Sequence, residues 1–187
     1  EMLRSLVGSE MCIRDSHDNV GACKELVTVL FAKGIQNIAY LGSNMDQMVN
    51  RCRYQGYEEA YRKGKRKLNQ DLVYTDLSSR AMVEKAVEEL KNSGVECILC
   101  QDDYICDEVV RKLARMGVRI PDQMKVASCH YSRILENYPI TITSLKFNIT
   151  ELGRRSCQVL LDMIHGKTVP DKTLLDYEII LKESTKG

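Results

Sequence analysis

Apolar residues recur along this chain at two alternating periods. In "ACKELVTVLFAKG", Ala22, Leu26, Val29 and Leu30 share one helical face, and Gly34 stands where a C-terminal cap belongs. "NIAYLG" follows as a short, continuously apolar strand. "RCRYQGYEEAYRKG" returns to helical spacing and ends at Gly64, and "LVYT" is the next strand. Ser78 and Ser79 are placed to cap "RAMVEKAVEELKNSG", where Val83, Ala86, Val87 and Leu90 form a stripe. "VECILC" then reads as a strand, "YICDEVVRKLARMG" as a helix and "MKVASC" as a strand. Short buried strands alternating with amphipathic helices predict an α/β fold, a doubly wound parallel sheet covered by helices on both faces.

After Tyr131 the rhythm changes. "YPITITSLKFN" reads as a loop and an extended segment, with Pro139 restricting the residue before it. "TELGRRSCQVLLDMIHG" is a further helix, with Leu152, Ser156, Leu160, Met163 and Ile164 on one face and Thr150 as its N-cap. "LLDYEIILKES" sets Leu175, Tyr177, Ile179 and Leu181 against Asp176 and Glu178, which predicts one late strand. There is no internal repeat and no low-complexity tract.

A chain of 187 residues is one domain or two small ones, long enough for a proper core. With 27 Lys and Arg against 26 Asp and Glu, nothing marks the whole surface for nucleic acid or anionic lipid. The basic run "RKGKRKLNQ" falls at a helix C-terminus, where the dipole favours solvated cations. The eight cysteines are scattered through apolar segments, as suits reduced thiols in a cytoplasmic protein. No apolar run has the length of a membrane span, and "EMLRSLVGSEMCIRDS" lacks the pattern of a signal peptide.

The stretch "CILCQDDYICDE" carries the candidate chemistry: an apolar run ends in the adjacent carboxylates of Asp102 and Asp103. In an open parallel sheet ligands gather beyond the carboxyl ends of the strands, and Cys129–His130–Tyr131 lies at such an end too. Capping of the next helix is the competing role for one of the two acids, and it does not account for both. Cys97 and Cys100 have half a zinc spacing, but residues three apart in a strand point to opposite faces, so they read as core thiols and no metal is assigned. No Walker-type or GxGxxG loop is present, and no nucleophile, base and oxyanion hole assemble, so neither cofactor nor enzymatic activity is expected. Noncovalent binding of a sugar or small acid remains, with Arg51 and Arg53 supplying donors and the carboxylates accepting hydroxyls.

From Asp18 onward the chain resembles the effector-binding domain of LacI/GalR-type transcription regulators. The resemblance rests on an ordered string of motifs over about nine-tenths of the sequence: "DNVGACKELVTVLFAKGIQNIAYLG", "RCRYQGY", "LCQDDYICDEVVRKLARMGVRIPDQMKVAS", "TSLKFNITELGRRSCQVLLDMIHGK" and "LKEST". It implies one lobe of a type I periplasmic-binding-protein-like fold plus part of the second lobe, with residues 17–187 forming the effector-binding domain. The crossover strand and helix at about 141–166 would belong to the other, N-terminal lobe, and residues 1–16 match nothing in the family and read as non-native. It also implies effector contacts at Arg53, at Asp102 in place of an Asn, and at His130 in place of an Asp, with Asp103 and Phe147 completing the candidate set. Asp102 is expected to face the ligand and Asp103 to brace the loop or the following helix.

The implied partners are a sugar-like effector, a second copy of the intact protein, and operator DNA through an N-terminal domain missing from this sequence. A periplasmic sugar-binding component of a transporter shares the fold and is the alternative.

Overall fold

The computed structural model describes residues 15–170 and 173–186. The alternation read from the sequence is present: β1 (Asp15–His17), α1 (Asn19–Ala32), β2 (Ile38–Leu41), α2 (Met48–Lys63), β3 (Val73–Tyr74), α3 (Arg80–Leu90), β4 (Cys97–Cys100), α4 (Asp103–Arg115) and β5 (Lys125–Ser128). β6 (Thr143–Phe147), α5 (Ile149–Ile164), β7 (Thr173–Leu175) and β8 (Tyr177–Ile180) complete the order. A six-stranded sheet runs β3-β2-β4-β5-β6-β8, and the pairs β2/β3, β2/β4, β4/β5 and β5/β6 are parallel. The described residues divide into two units, 19–146 with 178–186, and 15–18 with 147–170 and 173–177.

In the larger unit β2 and β4 are buried along their whole length, which explains their unbroken apolar character. Ala39, Leu41, Ile98, Cys100 and Val126 form one core with the stripes of α3 and α4, including Val83, Val87, Val109 and Leu113. Burying a side chain such as Leu113 contributes about 1.5–3 kcal/mol. Strand residues of the opposite parity meet α1 and α2. The Tyr40 ring lies 5.2 Å from that of Tyr57, whose hydroxyl donates to the Ile38 carbonyl at 2.7 Å. Gly56 lets the two helices close: a Cβ there would stand 2.4 Å from the Val20 carbonyl oxygen.

Helix ends follow local chemistry. The Ser79 side chain accepts from the Met82 N–H, so of the two candidate serines Ser79 is the cap. Gly34, at φ +90°, turns the chain out of α1. On α3 and α4, Glu84 accepts from Arg115 at 2.6 Å and from Arg80 at 2.8 Å. These bonds, Arg115 first, hold its carboxyl at about 2.

β5 and β6 are tied together by the segment that follows β8. The Ser184 hydroxyl donates to the Val126 carbonyl at 2.6 Å and accepts from the Thr143 N–H at 2.9 Å. The Thr185 and Thr143 hydroxyls meet at 2.7 Å. These buried hydroxyls do what a strand's backbone does elsewhere in the sheet.

In the smaller unit β1 pairs in parallel with β7, from Asp15 opposite Thr173 to His17 opposite Leu175. Residues 1–14 of the segment read as non-native lie outside the described residues, whereas 15 and 16 form β1 together with His17. Two expectations need correction here. The cap of α5 is Asn148, whose side chain accepts from the Glu151 N–H at 3.0 Å, and Thr150 already lies inside the helix. The single late strand is two: β7 joins β1 and β8 joins the main sheet, so the chain changes sheets at Asp176. None of the residues of α5 is buried, and Leu160, Leu161 and Ile164 are each about half exposed.

Two outcomes test this account. Ser184→Ala should cost about 1–3 kcal/mol in urea unfolding, because it strands a buried N–H and removes a donor from a buried carbonyl. Lowered from an ordinary 4.5 to about 2, Glu84 adds stability that is present above its unfolded value and lost as pH falls toward about 2. The difference in urea midpoint between wild type and Glu84→Gln should therefore narrow on going from pH 6 to pH 3. A constant difference would mean that the ion pairs do not contribute.

Candidate functional site

The parallel ladder of β4 and β5 sets Cys100 opposite Ser128, so the segments that follow both strands leave the sheet side by side. Beyond β4 the chain turns directly into α4. Asp102 has extended backbone, φ −147° and ψ 179°, and its Oδ1 accepts the Ile105 N–H at 2.9 Å. It is the N-cap of α4. Asp103 is the first helical residue and is buried, 6% exposed, with Oδ1 at 3.2 Å from His130 Nδ1. The His130 backbone is held in turn: the Ser128 hydroxyl donates to its carbonyl at 2.8 Å and accepts from its N–H at 3.2 Å. The helix cap thus falls to Asp102, while Asp103 is the acid that reaches the imidazole.

Arg53 enters from the opposite helix layer. It is buried on α2, and its Nη1 donates to the Gln101 carbonyl at 2.9 Å while Nε donates to Asn19 Oδ1 at 3.3 Å. Arg51 does not join it: that side chain donates to the Met45 and Asp46 carbonyls at 2.8 and 2.6 Å. Gln101 is fully buried, and its Oε1 accepts the Ser43 N–H at 3.1 Å and faces the Tyr40 hydroxyl at 3.5 Å. Gly42 makes room for it, since a Cβ at that position would stand 2.5 Å from Gln101 Oε1. Gln101 Nε2 lies 3.4 Å from Asp102 Oδ2.

Below this layer Cys23 and Cys129 are both fully buried, with their sulfurs 3.6 Å apart. The neighbouring Cys129 thiol and then burial push the Cys23 thiol well up, so it is held protonated. Burial likewise pushes Tyr40 up and keeps its hydroxyl a donor. Cys97 and Cys100 are buried within β4, and among the described residues no three His, Cys, Asp or Glu side chains are placed to hold a metal ion.

Of the five candidate residues, Asp103 and His130 are joined directly, and Arg53 is tied to the residue that precedes Asp102. Phe147 belongs to the smaller unit, with its ring 4.7 Å from that of His17 and 6.5 Å from that of Tyr177. Gln101 and Asn19 were missed. Gln101 sits next to the paired acids, yet a buried amide has no periodic signature, and the need for an acceptor at Ser43 arises only once β2 and β4 are adjacent. Beside the cluster a cleft of about 660 Å³ opens at the ends of β2 and β3, lined by Ser43, Asn44, Asp46, Thr75, Asp76 and Ser78 among others.

The family described as periplasmic binding protein-like domain matches residues 27–185. The HTH-type transcriptional regulator CelR of Thermobifida fusca is 26% identical over 170 residues, covering 89% of this chain and 50% of that protein. The HTH-type transcriptional regulator GntR of Escherichia coli (strain K12) is 26% identical over 170 residues, covering 84% and 47%. The chain therefore spans about half the length of these curated relatives. Among solved structures, a CelR–cellobiose complex superposes with a TM-score of 0.83 at 24% identity, over 95% of this chain and 55% of that one. The regulator CcpA of Lactococcus lactis superposes with a TM-score of 0.82 at 23% identity, over 92% and 64%.

The two acids should separate in a stability measurement. Asp102→Ala is expected to lower stability by about 1 kcal/mol through loss of the cap, and Asp102→Asn to restore most of it. Equal losses in both variants, measured by urea unfolding, would show that the cap is not what this side chain supplies.

Proposed function

This chain belongs to the periplasmic binding protein-like domain family, in company with LacI-type regulators, and from that premise we propose that it is the effector-sensing part of such a regulator. The effector is a sugar or sugar derivative, bound noncovalently at the carboxyl ends of β4 and β5. The observation that carries this reading is the convergence of Arg53, Asp103 and His130 from two helix layers and a strand end onto one loop cluster. That is where open parallel sheets bind ligands, and the groups present are suited to hydrogen-bonding hydroxyls.

The other parts of the proposal rest on the relatives. Both are HTH-type regulators about twice the length of this chain, which supports a second lobe, an operator-binding segment and a homodimer in the intact protein, acting in the cytoplasm. The exposed apolar residues of α5 support the same picture, in which the segment at about 141–166 leads from β6 of the main sheet into α5 as a helix of that second lobe. Coupling between effector and operator would then follow from closure of the two lobes, as a difference in affinity between two states of the domain. A transporter's binding component is not favoured, because the curated relatives named above are regulators. Among the described residues no helix is long and apolar enough to cross a membrane.

Thermal unfolding in the presence of cellobiose, maltose, ribose or gluconate tests the proposal. A true effector at a hundredfold excess over its Kd stabilises the folded state by about 2.7 kcal/mol. Arg53→Ala should abolish the shift. Because Arg53 is buried and holds Asn19 and Gln101, replacement of the partly exposed His130 in His130→Ala provides the second variant and should reduce the shift without unfolding the chain. A shift that survives both changes would place the ligand elsewhere.

A further inference from the structure

Asp103 is buried, it is an acid, and its Oδ1 lies 3.2 Å from His130 Nδ1. An ionised carboxylate only accepts hydrogen bonds, so the proton of this contact sits on Nδ1. In the neutral imidazole the other nitrogen, Nε2, then carries a lone pair and no hydrogen. The ring cannot turn away easily, since Ser128 fixes the His130 backbone from both sides and Asp103 is itself rooted in the first turn of α4.

The remaining charges narrow the choice of ligand. Arg53 is the cation of the cluster, and two of its nitrogens are already committed to the Gln101 carbonyl and to Asn19. Two carboxylates, the N-cap Asp102 and the first helical residue Asp103, stand at the start of α4. An anionic ligand would find one partly occupied guanidinium and two like charges. An uncharged polyol would find acceptors, each suited to a hydroxyl hydrogen.

From this we infer that Asp103 is a positioning residue which locks His130 as the Nδ1–H tautomer, so that Nε2 accepts a hydroxyl hydrogen and the site selects an uncharged sugar over a sugar acid. This rests on the sugar-sensing reading above and refines it: the discriminating contact is a hydrogen-bond acceptor, supplied by an imidazole.

The first test needs no ligand. Long-range 15N–1H correlation spectra of the wild-type chain at about pH 8.5, where a free imidazole is neutral, report which nitrogen carries the proton. His130→Gln identifies its signals against those of His17 and His165. The expected result is the Nδ1–H form for His130, reverting toward the Nε2–H form in Asp103→Ala. An Nε2–H form in the wild type overturns the inference whatever the chain binds.

Cellobiose and gluconate are then titrated into the same sample. Cellobiose should perturb the Nε2 resonance and bind at least about tenfold more weakly to Asp103→Ala, whereas gluconate should leave the resonance unmoved. Perturbation by gluconate alone overturns the selectivity. An intact Nδ1–H tautomer with no thermal shift from any sugar tried overturns the sugar-sensing reading and leaves the tautomer assignment standing.

Discussion

The register that sets Cys100 beside Ser128 decides where every polar group of the site can go. Strands of a parallel sheet all end on the same edge, so the segments after β2, β4 and β5 leave it together. Each carries backbone groups that the ladder no longer satisfies. Gln101 answers that need for Ser43, Ser128 for His130, and Asp102 for the first turn of α4. Polar side chains gather at this edge first because the sheet stops there. Ligand recognition then uses what the backbone leaves over.

Arg53 shows how the two helix layers are joined across that edge. It belongs to α2, while the carbonyl it meets lies just before α4, and these two helices pack on opposite faces of the sheet. A guanidinium is suited to this because its donors lie in one plane and at fixed angles, so it can serve Gln101 and Asn19 at once. Burial of the charge is offset by these bonds. The arrangement is fixed before any ligand arrives, so binding need not order it.

The fold could be read because it depends on periodicity. Helical stripes such as Val83, Ala86, Val87 and Leu90, and unbroken runs such as Cys97–Cys100, are dictated by burial on one or two faces, and burial leaves a regular trace. Where the outcome depended on a partner, the trace failed. Leu175 to Leu181 alternates like one strand, yet Asp176 separates two strands, because β7 pairs with β1 and β8 with the main sheet. Asn148 and Thr150 are both chemically competent caps, and only the path of the chain leaving β6 selects Asn148. In the site, motif position points to Arg53, Asp102 and His130, yet Asp102 is the cap of α4 and its neighbour Asp103 is the acid that reaches His130. Gln101 could not be named at all, since its role is created by the adjacency of β2 and β4.

The same reasoning accounts for two acids in succession at one strand tip. An N-cap residue has extended backbone and turns its side chain back along the helix axis toward the free N–H groups. The next residue is helical and points sideways from the first turn. Asp102 and Asp103 are therefore neighbours in sequence but not in direction: one meets the Ile105 N–H and the other the ring of His130 on the adjacent strand's loop. Exchanging their roles would require the helix to start one residue later. Asp103 would then cap α4 and leave His130 without a carboxylate to hold its Nδ1 proton. The point at which α4 begins is thus what selects the tautomer, and with it the hydrogen-bonding character that the site offers to a ligand.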